Sequence, residues 1–244
     1  MIYFLIALVA CSIGSFVGLG GDLMIIPCLL SLGIPKELIS INTDLTMFFM
    51  SLLSTYIYLR RKQGNFKTAI LMAIGIIPGA SLGVFLNSTI TIPMFKIFFI
   101  CLIVILMVMV VLKNNLNSLK LPTITKPIIG LFIGVISGLF GIGGGIILIP
   151  VLLIFYNLNQ KEAAATTMYL VFISSIVTVS SYYLRGFTDI HYAFYMIPGA
   201  LIGSRIGTYF NKTASNKSIS IIFNLILLGI FLKEVTPFIF SFIK

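Results

Sequence analysis

Three consecutive glycines inside a long apolar run leave a chain few choices, and this chain has such a run at Gly138–Pro150, GLFGIGGGIILIP. Each glycine costs a helix about 1 kcal/mol relative to alanine, so Gly143–Gly145 interrupts any helix that passes through them. In a bilayer the N–H and C=O groups freed by an interruption find no partner in lipid. The break survives only where it is buried in protein or lines a watery cavity. The same stretch has a counterpart at Ser15–Pro27, SFVGLGGDLMIIP, 123 residues earlier. The two agree at Gly18/Gly141, Gly20/Gly143, Gly21/Gly144, Ile26/Ile149 and Pro27/Pro150. A second pair follows in the same order, Ile77–Gly83 (IPGASLG) against Ile197–Gly203 (IPGALIG), 120 residues apart. Two motifs repeating in one order mark an internal duplication. Broken helices at corresponding places of two repeats point to a transporter's central binding site.

Composition decides the medium. Only 9% of the 244 residues are charged and 59% are hydrophobic, against about 25% charged in a soluble domain. The chain has too little polar surface to cover itself in water. The net charge of +10 does not argue for nucleic acid, because the basic residues stand singly between apolar segments, as the cytoplasmic Lys and Arg excess of membrane proteins does. Cys11, Cys28 and Cys101 lie within apolar segments, with no CxxC and no nearby His, so packing is expected of them rather than disulfides or a metal site. Leu8-Val9-Ala10-Cys11 has the look of a lipoprotein cleavage box, but no basic residue precedes the apolar run. The N-terminus is therefore kept as part of the fold.

The expected fold is an all-α polytopic membrane protein with about eight hydrophobic segments in two homologous four-segment repeats, each with a glycine-broken first helix. The segments read as 2–19 (continuing past the break to 32), 39–59, 69–86, 93–112, 128–155, 163–184, 192–210 and 218–232. The repeats are 1–115 and 125–244, joined in one integrated transmembrane domain. Pro237–Ile243 is a further apolar tail, too short to span.

Charge tests the topology. If all eight segments span, one side holds Arg60, Arg61, Lys62, Lys67, Lys113, Lys120, Lys126, Arg185, Lys233 and Lys244, and the other Lys36, Lys96, Lys161, Lys212 and Lys217. If each broken segment is a re-entrant V, Lys161, Lys212 and Lys217 change places with Arg185, Lys233 and Lys244. Both models give ten against five. The positive-inside rule therefore puts Arg60–Lys67 and Lys113–Lys126 in the cytoplasm and does not choose between them. The V model makes the repeats inverted.

GxGGGxxxxP followed by PGAxxG, in duplicate and over nearly the whole chain, resembles the sulfite exporter TauE/SafE family, also called the 4-toluene sulfonate uptake permeases (TSUP family). The resemblance implies a multi-pass secondary transporter of the cell (inner) membrane. It would move sulfite, an organosulfonate, or a related sulfur-containing or carboxylate anion. Its partners are then a small anionic substrate and the lipid bilayer, with proton or cation coupling and a homo-oligomer both left open, and no cofactor. Physics agrees with an anion. A helix restarting near Leu23 or Ile146 exposes N–H groups and the positive end of its dipole.

The candidate substrate-binding residues are Gly20, Gly21, Gly143, Gly144 and Gly145 at the breaks, with Arg205, Thr166 and Thr167 beside them. Gly75, Gly79, Gly83, Gly199, Gly203 and Gly207, spaced by four, instead suit close helix packing. Asp22 stands where the second repeat has Gly145, departing from the all-glycine pattern. It reads either as the N-cap of the restarting helix or as a proton or cation site, and ionised it weakens anion binding at the first break. Asp44, in Asn42-Thr43-Asp44, reads as an intramembrane pathway acid or as an interfacial helix-end residue. The second repeat has Ala165-Thr166-Thr167-Met168 in that region, polar without charge. Arg205 either snorkels to the headgroups or contacts the anion, and His191 beside Asp189 reads as interfacial. A membrane-embedded enzyme is disfavoured by one His and no paired nucleophile and base. No Walker motif signals ATP use. A non-transporting adaptor would not need a polar break in both halves.

Overall fold

The computed structural model describes residues 1–113 and 121–243 of the chain. Lys120 and Lys244, used in the charge comparison, lie outside the described residues. Among the described residues ten helices follow one another: α1 (Ile2–Val17), α2 (Asp22–Ser31), α3 (Lys36–Arg60), α4 (Phe66–Thr89), α5 (Ile92–Lys113), α6 (Thr125–Phe140), α7 (Gly145–Phe155), α8 (Gln160–Leu184), α9 (His191–Thr213) and α10 (Asn216–Ile243). The protein is an all-α membrane protein. Among the described residues α3 (over Leu38–Arg60), α4 and α8 are long and apolar enough to cross a membrane. The two broken segments each become two helices, and the apolar tail Pro237–Ile243 continues α10.

The two halves present the same succession of elements. α1 and α6 each have 16 residues, α2 and α7 have 10 and 11, α3 and α8 have 25 each, and α4 and α9 have 24 and 23. Pro27 and Pro150 each stand sixth in their short helix. A ten-residue helix rises about 15 Å, half the hydrocarbon core, so α2 and α7 reach only partway through it.

The packing exchanges partners between the halves. α1 lies along α9 and α6 along α4, the two most extensive helix contacts among the described residues. The PGAxxG glycines make them close. A Cβ on Gly75, Gly79 or Gly83 would land on the carbonyls of Pro127, Leu131 and Val135, and one on Gly199, Gly203 or Gly207 on those of Phe4, Leu8 and Ser12. Both numbers rise together in each pairing, so α4 runs parallel to α6, and α9 to α1.

Helix directions choose between the topologies. Phe48 stacks on Phe172 and Thr55 Oγ1 donates to Met168 O, while Asn65 N donates to Thr166 Oγ1, so α3 and α8 are antiparallel. α3 is parallel to α9, since Asn42 meets Ala193, Ser54 meets Ser204 and Arg61 meets Thr208. Eight plain spans would make α3 and α8 parallel. The re-entrant arrangement makes them antiparallel, and the breaks do fold back: a Cβ on Gly21 would lie 3.1 Å from the Cys11 backbone nitrogen. The connections sort accordingly onto two faces. On one, Gln63 reaches Lys161 O and Asn211, and Lys161 reaches Lys212 O. On the other, Lys36 Nζ donates to Asn87 O and Ile90 O at the end of α4, Asn42 donates to Asp189 O, and Arg185 donates to Ser88.

Candidate substrate site where the two breaks meet

Each break is a short non-helical bridge built on left-handed glycines. Gly18 and Gly20 have φ of 90° and 89°, and Gly141, Gly143 and Gly144 have 65°, 56° and 78°. L-residues rarely hold that region, so the chain reverses here on glycine alone. The carbonyls that α1 and α6 leave unpaired at their ends are taken by side chains. Tyr58 OH donates to Ser15 O (2.9 Å) and Asn211 Nδ2 to Phe16 O (2.7 Å). In the second half Tyr182 OH donates to Gly138 O (3.0 Å) and Asn87 Nδ2 to Leu139 O (2.6 Å). These four residues escaped the sequence reading. Their signal is present: Tyr58/Tyr182 and Asn87/Asn211 are both 124 residues apart.

The two breaks touch each other at the centre of the molecule. A Cβ on Gly145 would land on Leu19 O, and one on Gly143 would lie 3.3 Å from Asp22 Oδ2 and 3.0 Å from Val171 Cγ1. Opposite repeats also clamp them, Gly18 against Ala164 of α8 and Gly141 against Ser40 of α3. Matching these contacts aligns Ser40 with Ala164, hence Thr43 with Thr167 and Asp44 with Met168. Residues 18–23 and 140–152 are all buried.

The two helix starts are not equivalent. In the first repeat Gly21 N donates to Met47 Sδ (3.2 Å), Leu23 N to Asp22 Oδ1 (2.8 Å), and Met24 N and Ile25 N to Gly21 O. The donors expected of Leu23–Ile25 are thus already used. Asp22 is the first residue of α2 and Gly21 occupies the N-cap position, which corrects the N-cap reading of Asp22. In the second repeat Ile147 N and Leu148 N bond back to Gly144 O. Gly145 and Ile146 carry the N–H groups that a helix start leaves without an intrahelical acceptor.

Two acids lie here with no exposure, Asp22 and Asp44. Asp44 stands eight residues into α3, about 12 Å along it, and is buried rather than interfacial. Asp22 Oδ2, both oxygens of Asp44, and the hydroxyls of Thr43 and Thr167 have no hydrogen-bond partner in the protein. Thr166 is otherwise engaged, accepting from Asn65 N (2.8 Å) and donating to Glu162 O (2.7 Å), so it ties α8 to the connection before α4. Arg205 does not join the site. It is exposed, two residues from the Gly203 and Gly207 face that packs on α1. His191 is exposed as well, its backbone N–H on Asp189 Oδ1 and its ring edge-on to Tyr192 and Tyr195. The structure therefore brings together Gly20, Gly21, Asp22, Gly143, Gly144, Gly145 and Asp44. It leaves Arg205 outside.

Known proteins resemble the chain over most of its length. The family model described as "Sulfite exporter TauE/SafE" matches residues 3–233. The chain is 27% identical to the "Probable membrane transporter protein YunE" of Bacillus subtilis, over 99% of both chains. It is 29% identical to a probable membrane transporter protein of Methanocaldococcus jannaschii over 90% of both. A further probable membrane transporter protein of Bacillus subtilis, YdhB, is 30% identical over 81% of this chain and 84% of its own. No solved structure matches the chain.

Proposed function

Because the chain belongs to the sulfite exporter TauE/SafE family of membrane transporters, we propose that it is a secondary transporter of a small anion: sulfite, an organosulfonate, or a related sulfur-containing or carboxylate anion. One observation carries this reading. Two short helices start from glycine bridges that touch at the buried centre of the molecule, and helix starts favour anions. The anion sits at the α7 start, against the N–H groups of Gly145 and Ile146, with Gly143 and Gly144 letting the backbone approach it. A dipole of about half a charge attracts the substrate without burying a full positive charge, and still lets it leave.

The repeats take the boundaries 1–115 and 125–244 within one integrated transmembrane domain, and swing about the breaks to open the site to either side. The cell (inner) membrane holds the protein with its α3–α4, α5–α6, α7–α8 and α9–α10 connections in the cytoplasm. Among the described residues that face carries Arg60, Arg61, Lys62, Lys67, Lys113, Lys126, Lys161, Lys212 and Lys217, as the positive-inside rule prefers. Asp22 and Asp44 are the coupling residues.

Binding by the purified protein tests the substrate class. Its thermal unfolding is followed with sulfite, organosulfonates, small carboxylates and size-matched neutral amides. Selective stabilisation by one or more of the anions is expected. Equal response to the neutral compounds, or none to any anion, would refute the proposal.

A further inference from the structure

Around the start of α2, Gly21 N is taken by Met47 Sδ, Leu23 N by Asp22's own carboxylate, and Met24 N and Ile25 N by Gly21 O. The first break thus offers an anion fewer free N–H groups than the second. It has oxygen instead. Asp22 Oδ2 and both oxygens of Asp44 are buried without a hydrogen bond, and the neighbouring Thr43 hydroxyl is likewise unpartnered. Asp22 and Asp44 lie close enough for their charges to repel, and among the described residues Cys11 of α1 also senses Asp22. From α8 the Thr178 hydroxyl faces Asp44 but directs its hydrogen bond to Ser175 O (3.3 Å). The unbonded Asp22 oxygen lies on the side of Gly143, at the threshold of the second break. Asp22 and Asp44 have Gly145 and Met168 as counterparts, so the second repeat has no such cluster.

Two buried carboxylates without a counter-charge are costly, and an all-oxygen set suits a hard cation or a proton. We propose that the first repeat holds one monovalent cation, a proton or a sodium-sized ion, between Asp22 and Asp44. That cation must be in place before an anion can occupy the start of α7. The second half of this statement rests on the transport reading given above; the first does not. The order follows from charge. With the cation absent, ionised Asp22 stands beside Gly143 and repels the incoming anion. With it bound, one of the two negative charges is offset, the repulsion beside Gly143 falls, and the α7 dipole can draw the anion in.

Cation and anion are therefore measured separately. Purified protein is heated in sodium against choline chloride at constant ionic strength and pH 8, then in choline chloride from pH 8.5 to 5.5. The expected result is a rise in unfolding temperature with sodium or with acid, absent in Asp44→Asn and reduced in Asp22→Asn. Response to sodium at fixed pH identifies a metal ion, and response to acid alone a proton. In cation-free buffer at pH 8.5 Asp44→Asn should be no less stable than the wild type, since it removes an uncompensated buried charge. Wild type and both variants responding alike to sodium and to acid would overturn the cation site. Binding of isethionate, a sulfonate whose charge does not change over this range, is then measured with and without the cation. At least a tenfold tighter affinity with it is expected. Equal affinity in both conditions overturns the ordering. No isethionate binding in either, with the cation response intact, counts against the substrate reading alone.

Discussion

Gly144→Val is the substitution whose effect can be worked most closely from the geometry. Gly144 precedes α7 with φ of 78°, where an L-residue costs about 1–2 kcal/mol. A Cβ there would lie 3.1 Å from Ile133 Cγ2 and 3.5 Å from Ser137 Cβ. That is tight for one carbon and worse for a branched side chain, and overpacking costs about 1–3 kcal/mol. Together they come to about 2–5 kcal/mol. The chain escapes this cost if residue 144 leaves the left-handed region, but the Gly145 and Ile146 N–H groups then swing off the site. Restoring them for binding costs the same energy, roughly a 30- to 4,000-fold loss of affinity at 1.4 kcal/mol per decade. Gly186→Val is the control. Its φ of 86° imposes similar strain, yet no atom lies within 4 Å of the added Cβ, and it sits in a connection away from the breaks. It should lower stability by about 1–2 kcal/mol and leave affinity unchanged. Isothermal titration of both purified variants with an organosulfonate reads the difference. Unchanged affinity in Gly144→Val, or equal losses in the two, would refute the reasoning.

In a background without Cys11, Cys28 and Cys101, cysteines at the exposed Leu32 and Leu184 should label from one side of the membrane and one at Lys217 from the other; Leu32 and Lys217 labelling together would contradict re-entrant breaks. Gly83→Ala and Gly207→Ala push a methyl into the facing carbonyls of Val135 and Ser12. Each should destabilise the protein by about 1–3 kcal/mol, measured by unfolding, with anion affinity kept. Tyr58→Phe and Tyr182→Phe each strand a buried carbonyl ahead of a break, at about 1–3 kcal/mol. The two losses should add in the double variant, because the pairs do not share partners.

The breaks and their duplication were legible because glycine runs in apolar sequence have few readings, and the helices do restart one residue from the expected places. The packing role of Gly75–Gly83 and Gly199–Gly207 was legible from their spacing. Their partners were not. A small-residue face says that something approaches, and nothing in it says that α4 meets α6 rather than a neighbour in its own repeat. Charge counting tied the two topologies because Lys161, Lys212 and Lys217 exactly balance Arg185, Lys233 and Lys244; long-range bonds such as Thr55 to Met168 were needed to orient α3 against α8. Arg205 was drawn toward the site as an Arg placed well within an expected span, which fixes depth but not the side it faces. The inequality of the two helix starts was half visible, since Asp22 against Gly145 is written in the sequence. That Met47 and Asp22 take the N–H groups of Gly21 and Leu23 depends on packing between α2 and α3.

Counterflow tests the central claim most directly. Proteoliposomes preloaded with millimolar unlabelled organosulfonate or sulfite are diluted into a trace of the labelled anion, with sodium and pH equal on both sides. The account expects transient accumulation of label above equilibrium, abolished by Gly144→Val and retained by Gly186→Val. No counterflow of any anion in the panel by correctly folded wild-type protein, or counterflow unaltered in Gly144→Val, would contradict it.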